Sequence, residues 1–153
     1  MKRAVIAAGA VLLLTSAVVA QQTINTELAK KQDDLMRALA KPEYGVLMRT
    51  ARGRNPYDQA AINAALVELE QGVNKIASTF EQNPGGNLPD AEYGSSQKIW
   101  QNKADFDSKI PAVLKAIADA KASIKDVDSV KTAFDGIENK CNACHDTYRL
   151  KLK

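Results

Sequence analysis

The chain has 153 residues, with 21 Lys and Arg against 18 Asp and Glu, a formal net charge of +3. That length allows one compact domain with a real core and not two. The near balance of charge excludes the basic footprint of a nucleic-acid-binding protein.

Residues 1–20, MKRAVIAAGAVLLLTSAVVA, read as a secretory signal cut after Ala20. Lys2 and Arg3 precede an apolar run through Leu14, and the small residues Val18 and Ala20 close the segment. The run is shorter than the roughly 20 residues of a spanning helix, so no stable membrane anchor is expected after cleavage. Without Lys2 and Arg3 the formal charge falls to +1, 19 basic against 18 acidic residues. Residues 21–153 form the single mature domain.

The first mature segment places Ile24, Leu28, Leu35, Met36 and Leu39 on one apolar face and reaches Pro42. Proline removes a backbone donor and disfavours a helical Lys41, so the helix is expected to bend or stop there. EYGVLMRTA then forms a second short helical piece. After a Gly/Pro-rich link at Gly53–Pro56, the residues Ile62, Leu66, Leu69, Val73, Ile76 and Phe80 recur at steps of four and three. This is the stripe of an amphipathic helix.

A second link, Asn83–Ser96, leads to Ile99, Lys103, Phe106, Ile110, Val113, Ile117, Ala120 and Ile124. Only Lys103 interrupts that stripe, its stem expected to lie on the core and its ammonium to reach outward. Pro111 threatens a kink. The last segment starts at Asp126, a natural N-cap, and continues through Val130, Phe134, Ile137, Cys141, Cys144 and Tyr148. No run alternates as strands do. Four amphipathic stripes predict an all-α, antiparallel up-down four-helix bundle.

The last stripe carries CNACH, Cys141 to His145, which holds both cysteines and the only histidine of the chain. A disulfide between Cys141 and Cys144 would close a tiny loop and constrain little, so export does not by itself explain the pair. A structural zinc site wants four protein ligands, and no second cluster exists. A thioredoxin-type CxxC follows a strand and opens a helix, whereas this motif closes one. Core cysteines beside a chance histidine would leave the coincidence unexplained.

CxxCH is the attachment sequence of c-type haem. On a helix the two sulfurs share a face and can form thioethers along one edge of a porphyrin, with His145 next in line to bind its iron.

With CNACHDTYR near the end of a four-helix chain, the sequence resembles the cytochrome c′ family, the class II c-type cytochromes. The resemblance covers the whole mature chain. DDLM on the first helix, and QKIW with Phe106 on the third, are similar to the family pattern. PYDQAA resembles the branch whose haem is low-spin with a methionine sixth ligand. One covalently bound haem c is therefore expected on Cys141 and Cys144, with His145 as the proximal iron ligand.

Met36 and Met48 are the mature candidates for the sixth position. Antiparallel first and last helices bring Met36 near the level of His145, while Met48 lies about 18 Å further along at 1.5 Å per residue. In the family the distal residue comes from this part of the first helix, which matches Met36. A methionine on an apolar face also serves as core filler, and five-coordinate members of the family set an apolar side chain near the iron without binding it. Gln32 stands where many members have an arginine, so that arginine's contact with a haem propionate does not carry over. Tyr148 and Trp100 read as core aromatics near the macrocycle, and Arg149 matches the arginine that follows the family motif.

The resemblance implies a periplasmic one-electron carrier cycling between Fe(III) and Fe(II) with His/Met ligation. The alternative is a five-coordinate binder of small diatomic gases such as nitric oxide. No catalytic residue is expected, since peroxidase chemistry needs polar distal groups and a vacant iron position. Redox partner proteins in the periplasm are implied, as is a homodimer formed through the first two helices.

Overall fold

A computed structural model describes residues 23–153 of the chain. The expected signal segment at 1–20 and its expected cleavage point lie outside these residues. Among the described residues no helix is long and apolar enough to cross a membrane.

The first arm begins with α1, Thr26–Ala40, whose Asn25 side chain accepts from Leu28 N at 3.0 Å. Pro42 neither ends nor breaks it. The winding widens to π-type over Lys41–Met48 and returns to α in α2, Arg49–Ala51. A proline removes an i to i−4 bond and crowds the preceding turn, and a wider register is one way a helix absorbs that defect. The expected interruption is thus a change of pitch within one arm.

The second arm is α3, Gln59–Val73, capped by Asp58, whose carboxylate accepts from Ala60 N and Ala61 N. It breaks at Asn74 and Lys75 and resumes as the short α4, Ile76–Thr79. Gly72 meets the first arm directly: a Cβ there would come within 2.5 Å of Leu39 Cδ2.

The third arm divides earlier than Pro111 suggests. Asn102, at φ −131° and ψ 48°, separates α5, Lys98–Gln101, from α6, Lys103–Ser123, and α6 continues through an exposed Pro111. Lys103 behaves as expected, its Nζ 2.6 Å from Asp107 Oδ2 and 5.8 Å from the centre of the Phe106 ring.

The last arm is α7, Val127–Tyr148. Asp126 and Ser129 form a reciprocal capping box, Ser129 N donating to Asp126 Oδ1 at 2.8 Å and Asp126 N to Ser129 Oγ at 3.0 Å.

One core joins all four arms. Leu47 from the π-type stretch, Leu66 and Leu69 from α3, Ile117 from α6, and Val130 and Ile137 from α7 are each at most 1% exposed and pack together. The strands are the element that sequence periodicity misses. β1, Tyr93–Ser95, pairs antiparallel with β2, Arg149–Lys151, with Gly94 opposite Leu150. Segments this short show no alternation to read. The ribbon ties the long link to the end of α7, helped by Ser96 N donating to Tyr148 O at 2.9 Å.

Leu66 lies at the centre of the seam. Leu66→Ala is expected to lower the unfolding free energy by about 2–5 kcal/mol in chemical denaturation. Val67→Ala, at a side chain 43% exposed, is expected to change it by less than about 0.5 kcal/mol.

Candidate functional site

The face of α7 that buries Val130, Phe134 and Ile137 continues into Cys141, Cys144 and Tyr148. Cys141 packs against the main core, while Cys144 packs against a second cluster of Phe80, Ile99, Phe106 and Tyr148. Met36 and Trp100 join that second cluster. Between the clusters lies a cavity of about 320 Å³. Its lining includes Cys141, Cys144, His145 and Met36, and Met48 is not part of it. All four expected site residues therefore face one void.

The remaining walls are largely apolar: Leu69 and Val73 from α3, Phe80 after α4, and Phe106 and Val113 from α6. The aromatics are mutually fixed. Phe106 is 5.6 Å from Phe80 and meets Tyr148 edge-on at 5.3 Å. Tyr148 donates its hydroxyl to Asp105 Oδ2 at 2.5 Å, and that carboxylate holds the phenol proton so that its pKa rises to about 12. Trp100 donates its indole N–H to Phe80 O at 3.0 Å. Arg149 caps α7 through its backbone N–H to His145 O, and its guanidinium lies 4.7 Å from the centre of the Tyr93 ring.

Burial governs the titration of the motif. It pushes the Cys141 thiol up, and raises Cys144 to about 11. Both thiols thus remain protonated near neutrality, unlike the activated thiols of redox enzymes. Burial first, and the Arg149 cation second, lower His145. Its imidazole therefore stays neutral at pH 7, the form that donates a lone pair to a metal.

Two further residues at the cavity are not marked by sequence motifs. Gln32, 2% exposed, donates its amide to Thr79 O at 3.2 Å and to Gln82 O at 3.1 Å, leaving Oε1 without a partner. Glu43, 6% exposed, likewise has an unpartnered Oε1. Burial raises the Glu43 carboxyl to about 7, a hydrogen bond with Cys141 opposes that, and Glu138 adds to it. The available signal is positional: both polar residues occupy the stripe of Leu28, Met36 and Leu39, where apolar side chains belong.

Cys141 and Cys144 are not disulfide-bonded, and no cluster of three or more His, Cys, Asp or Glu among the described residues can hold a bare metal ion. Two thiols, an imidazole and a thioether around an apolar void instead suit a flat, largely apolar macrocycle carrying its own metal. The volume falls within the roughly 300–1,000 Å³ of cofactor sites. Haem fits this donor set.

The family model described as Cytochrome C' matches residues 27–149. Cytochrome c-555 of Bradyrhizobium diazoefficiens is 51% identical over 153 residues, all of both chains. Cytochrome c-556 of Rhodopseudomonas palustris is 40% identical over 152 residues, 99% of each. Among solved structures, an NMR-validated model of oxidized R. palustris cytochrome c556 is 35% identical, with a TM-score of 0.71 over 83% of this chain and 98% of that one. Cytochrome c′ from the same organism, at 23% identity and a TM-score of 0.72 over 84% of this chain and 99% of that one, shares the fold.

Gln32 joins α1 to the end of the second arm at the edge of the cavity. Gln32→Ala is expected to cost about 1–3 kcal/mol of stability, since Thr79 O loses its buried donor. Urea denaturation monitored by circular dichroism measures it.

Proposed function

Because the chain belongs to the cytochrome c′ family, we propose that it is a periplasmic one-electron carrier whose haem iron is held between His145 and Met36. The chain is a class II c-type cytochrome with covalently bound haem c, folded as a four-helix bundle. The observation that supports the finer reading is the single cavity that gathers Cys141, Cys144, His145 and Met36.

Bound haem supplies a one-electron change between ferric and ferrous iron. Cys141 and Cys144, three residues apart on one helical face, tether the macrocycle by two thioethers and fix its edge against α7. His145 presents a neutral imidazole. Met36 offers a soft, uncharged sulfur from α1, a ligand that favours the reduced state and raises the potential. Leu69, Val73, Phe80, Phe106 and Val113 exclude water and disfavour added charge, acting in the same direction.

With His145 on α7 and Met36 on α1 both serving as ligands, a bound haem iron would keep no vacant position, and electron exchange would call for no catalytic residue. The signal reading of residues 1–20 supports export to the periplasm, and the domain would then comprise residues 21–153. Redox partner proteins would be met there. A homodimer through the outer faces of α1 and α3 is consistent with Val67, an apolar side chain 43% exposed on α3.

Met36→Ala is expected to convert a low-spin spectrum to high-spin and to make the reduced protein bind carbon monoxide. A wild-type protein that is already high-spin and binds carbon monoxide at the same rate as the variant would identify a five-coordinate gas binder instead. Cys141→Ser with Cys144→Ser is expected to abolish covalent haem in a pyridine haemochrome assay after acid–acetone extraction.

A further inference from the structure

Electron transfer through the site leaves Glu43 without a role. A carboxyl in an apolar cavity is costly unless paired or protonated. Glu43 is more than nine-tenths buried, lines the cavity and has an oxygen without a partner. Its position follows from the π-type stretch of the first arm. No cation is among the groups that shift it; those groups are Cys141 and Glu138, both on α7. The adjacent Tyr44 is exposed, and α3 offers only the apolar Leu69 and Val73 to this part of the lining.

We propose that Glu43 is a redox-linked proton site, binding one proton when the haem tethered at Cys141 is reduced and releasing it on oxidation. The proposal rests on the attachment reading above. The step balances: a redox partner donates one electron, solvent donates one proton to a Glu43 carboxylate oxygen, and oxidation returns both. The coupling is electrostatic. Reduction removes one positive charge from the iron, so a nearby carboxylate becomes harder to keep ionised.

The sign follows from which state prefers the anion. Ionised Glu43 favours the oxidised protein, so the midpoint potential falls as pH rises through the carboxyl's range. In the folded protein that range is near neutrality, because burial holds the carboxyl well above an ordinary glutamate. The slope approaches about 59 mV per pH unit, the one-electron equivalent of a tenfold change in proton activity. Asp33, Arg37, Glu92, Lys109 and Arg149 also line the cavity, but they are common to wild type and variants, so a comparison isolates Glu43.

The experiment is a spectroelectrochemical titration of the holoprotein across about two pH units on either side of neutrality, with redox-difference infrared spectra. The wild type is expected to show the pH slope and a neutral-carboxyl C=O band that grows on reduction. Glu43→Gln flattens the slope and removes the band, whereas Glu138→Gln retains both. Equal slopes in wild type and Glu43→Gln, with an unchanged band, overturn the proposal. If Glu43→Gln does not accumulate, Glu43→Asp keeps the acid but moves its environment, and an unmoved pH window overturns the proposal as well. Failure of the attachment reading is separately visible as covalent haem that survives Cys141→Ser and Cys144→Ser.

Discussion

The pitch of one helix underlies the site. Cys141, Cys144 and His145 stand on the same side of α7 because residues three and four apart are neighbours on a helical surface. That side is also the seam by which α7 is buried, through Val130, Phe134 and Ile137. Hydrophobic packing and cofactor chemistry therefore share a single stripe. The same burial that stabilises the bundle keeps the thiols protonated and the imidazole neutral. No separate device is required to prepare the donor set.

The cavity is lined from two clusters, which are bridged elsewhere by Ile76, a residue packed against both. The main core fills the space between the π-type stretch, α3, α6 and α7, while Phe80, Ile99, Phe106 and Tyr148 fill the end nearest the ribbon. Cys141 belongs to one and Cys144 to the other. A flat group held there would meet side chains of both clusters as well as the cysteines that would tether it. The polar exceptions, Gln32 and Glu43, sit at opposite ends of the stripe that α1 and the π-type stretch present to this space.

The arms and the motif are legible in the sequence because both express helical periodicity. Ile62 to Phe80 and Val130 to Tyr148 recur at steps of three and four, and Asp126 caps as its side-chain chemistry dictates. Met36 is a stripe residue too, and it lines the same cavity as His145. Less legible are features decided by tertiary context. Pro42 signals a defect without saying how the chain absorbs it, and the π-type winding that results follows from packing along the arm. The ribbon joins residues more than fifty positions apart through segments of three, too brief to leave a pattern. Glu43 continues the stripe of α1, but the burial of its carboxyl shows only once its arm is seen packed against α7.

Gly72 shows how closely these parts are matched. Leu39 of the first arm occupies the place a Cβ would take on α3. The tip of Leu39 is thus seated over the bare backbone of Gly72, and α1 is also the helix that carries Met36. A side chain at position 72 would first have to turn that leucine aside, since both atoms it meets belong to the Leu39 side chain. A backbone notch on a helix that supplies neither cysteine nor histidine thus seats a leucine of the arm that brings Met36 to the cavity.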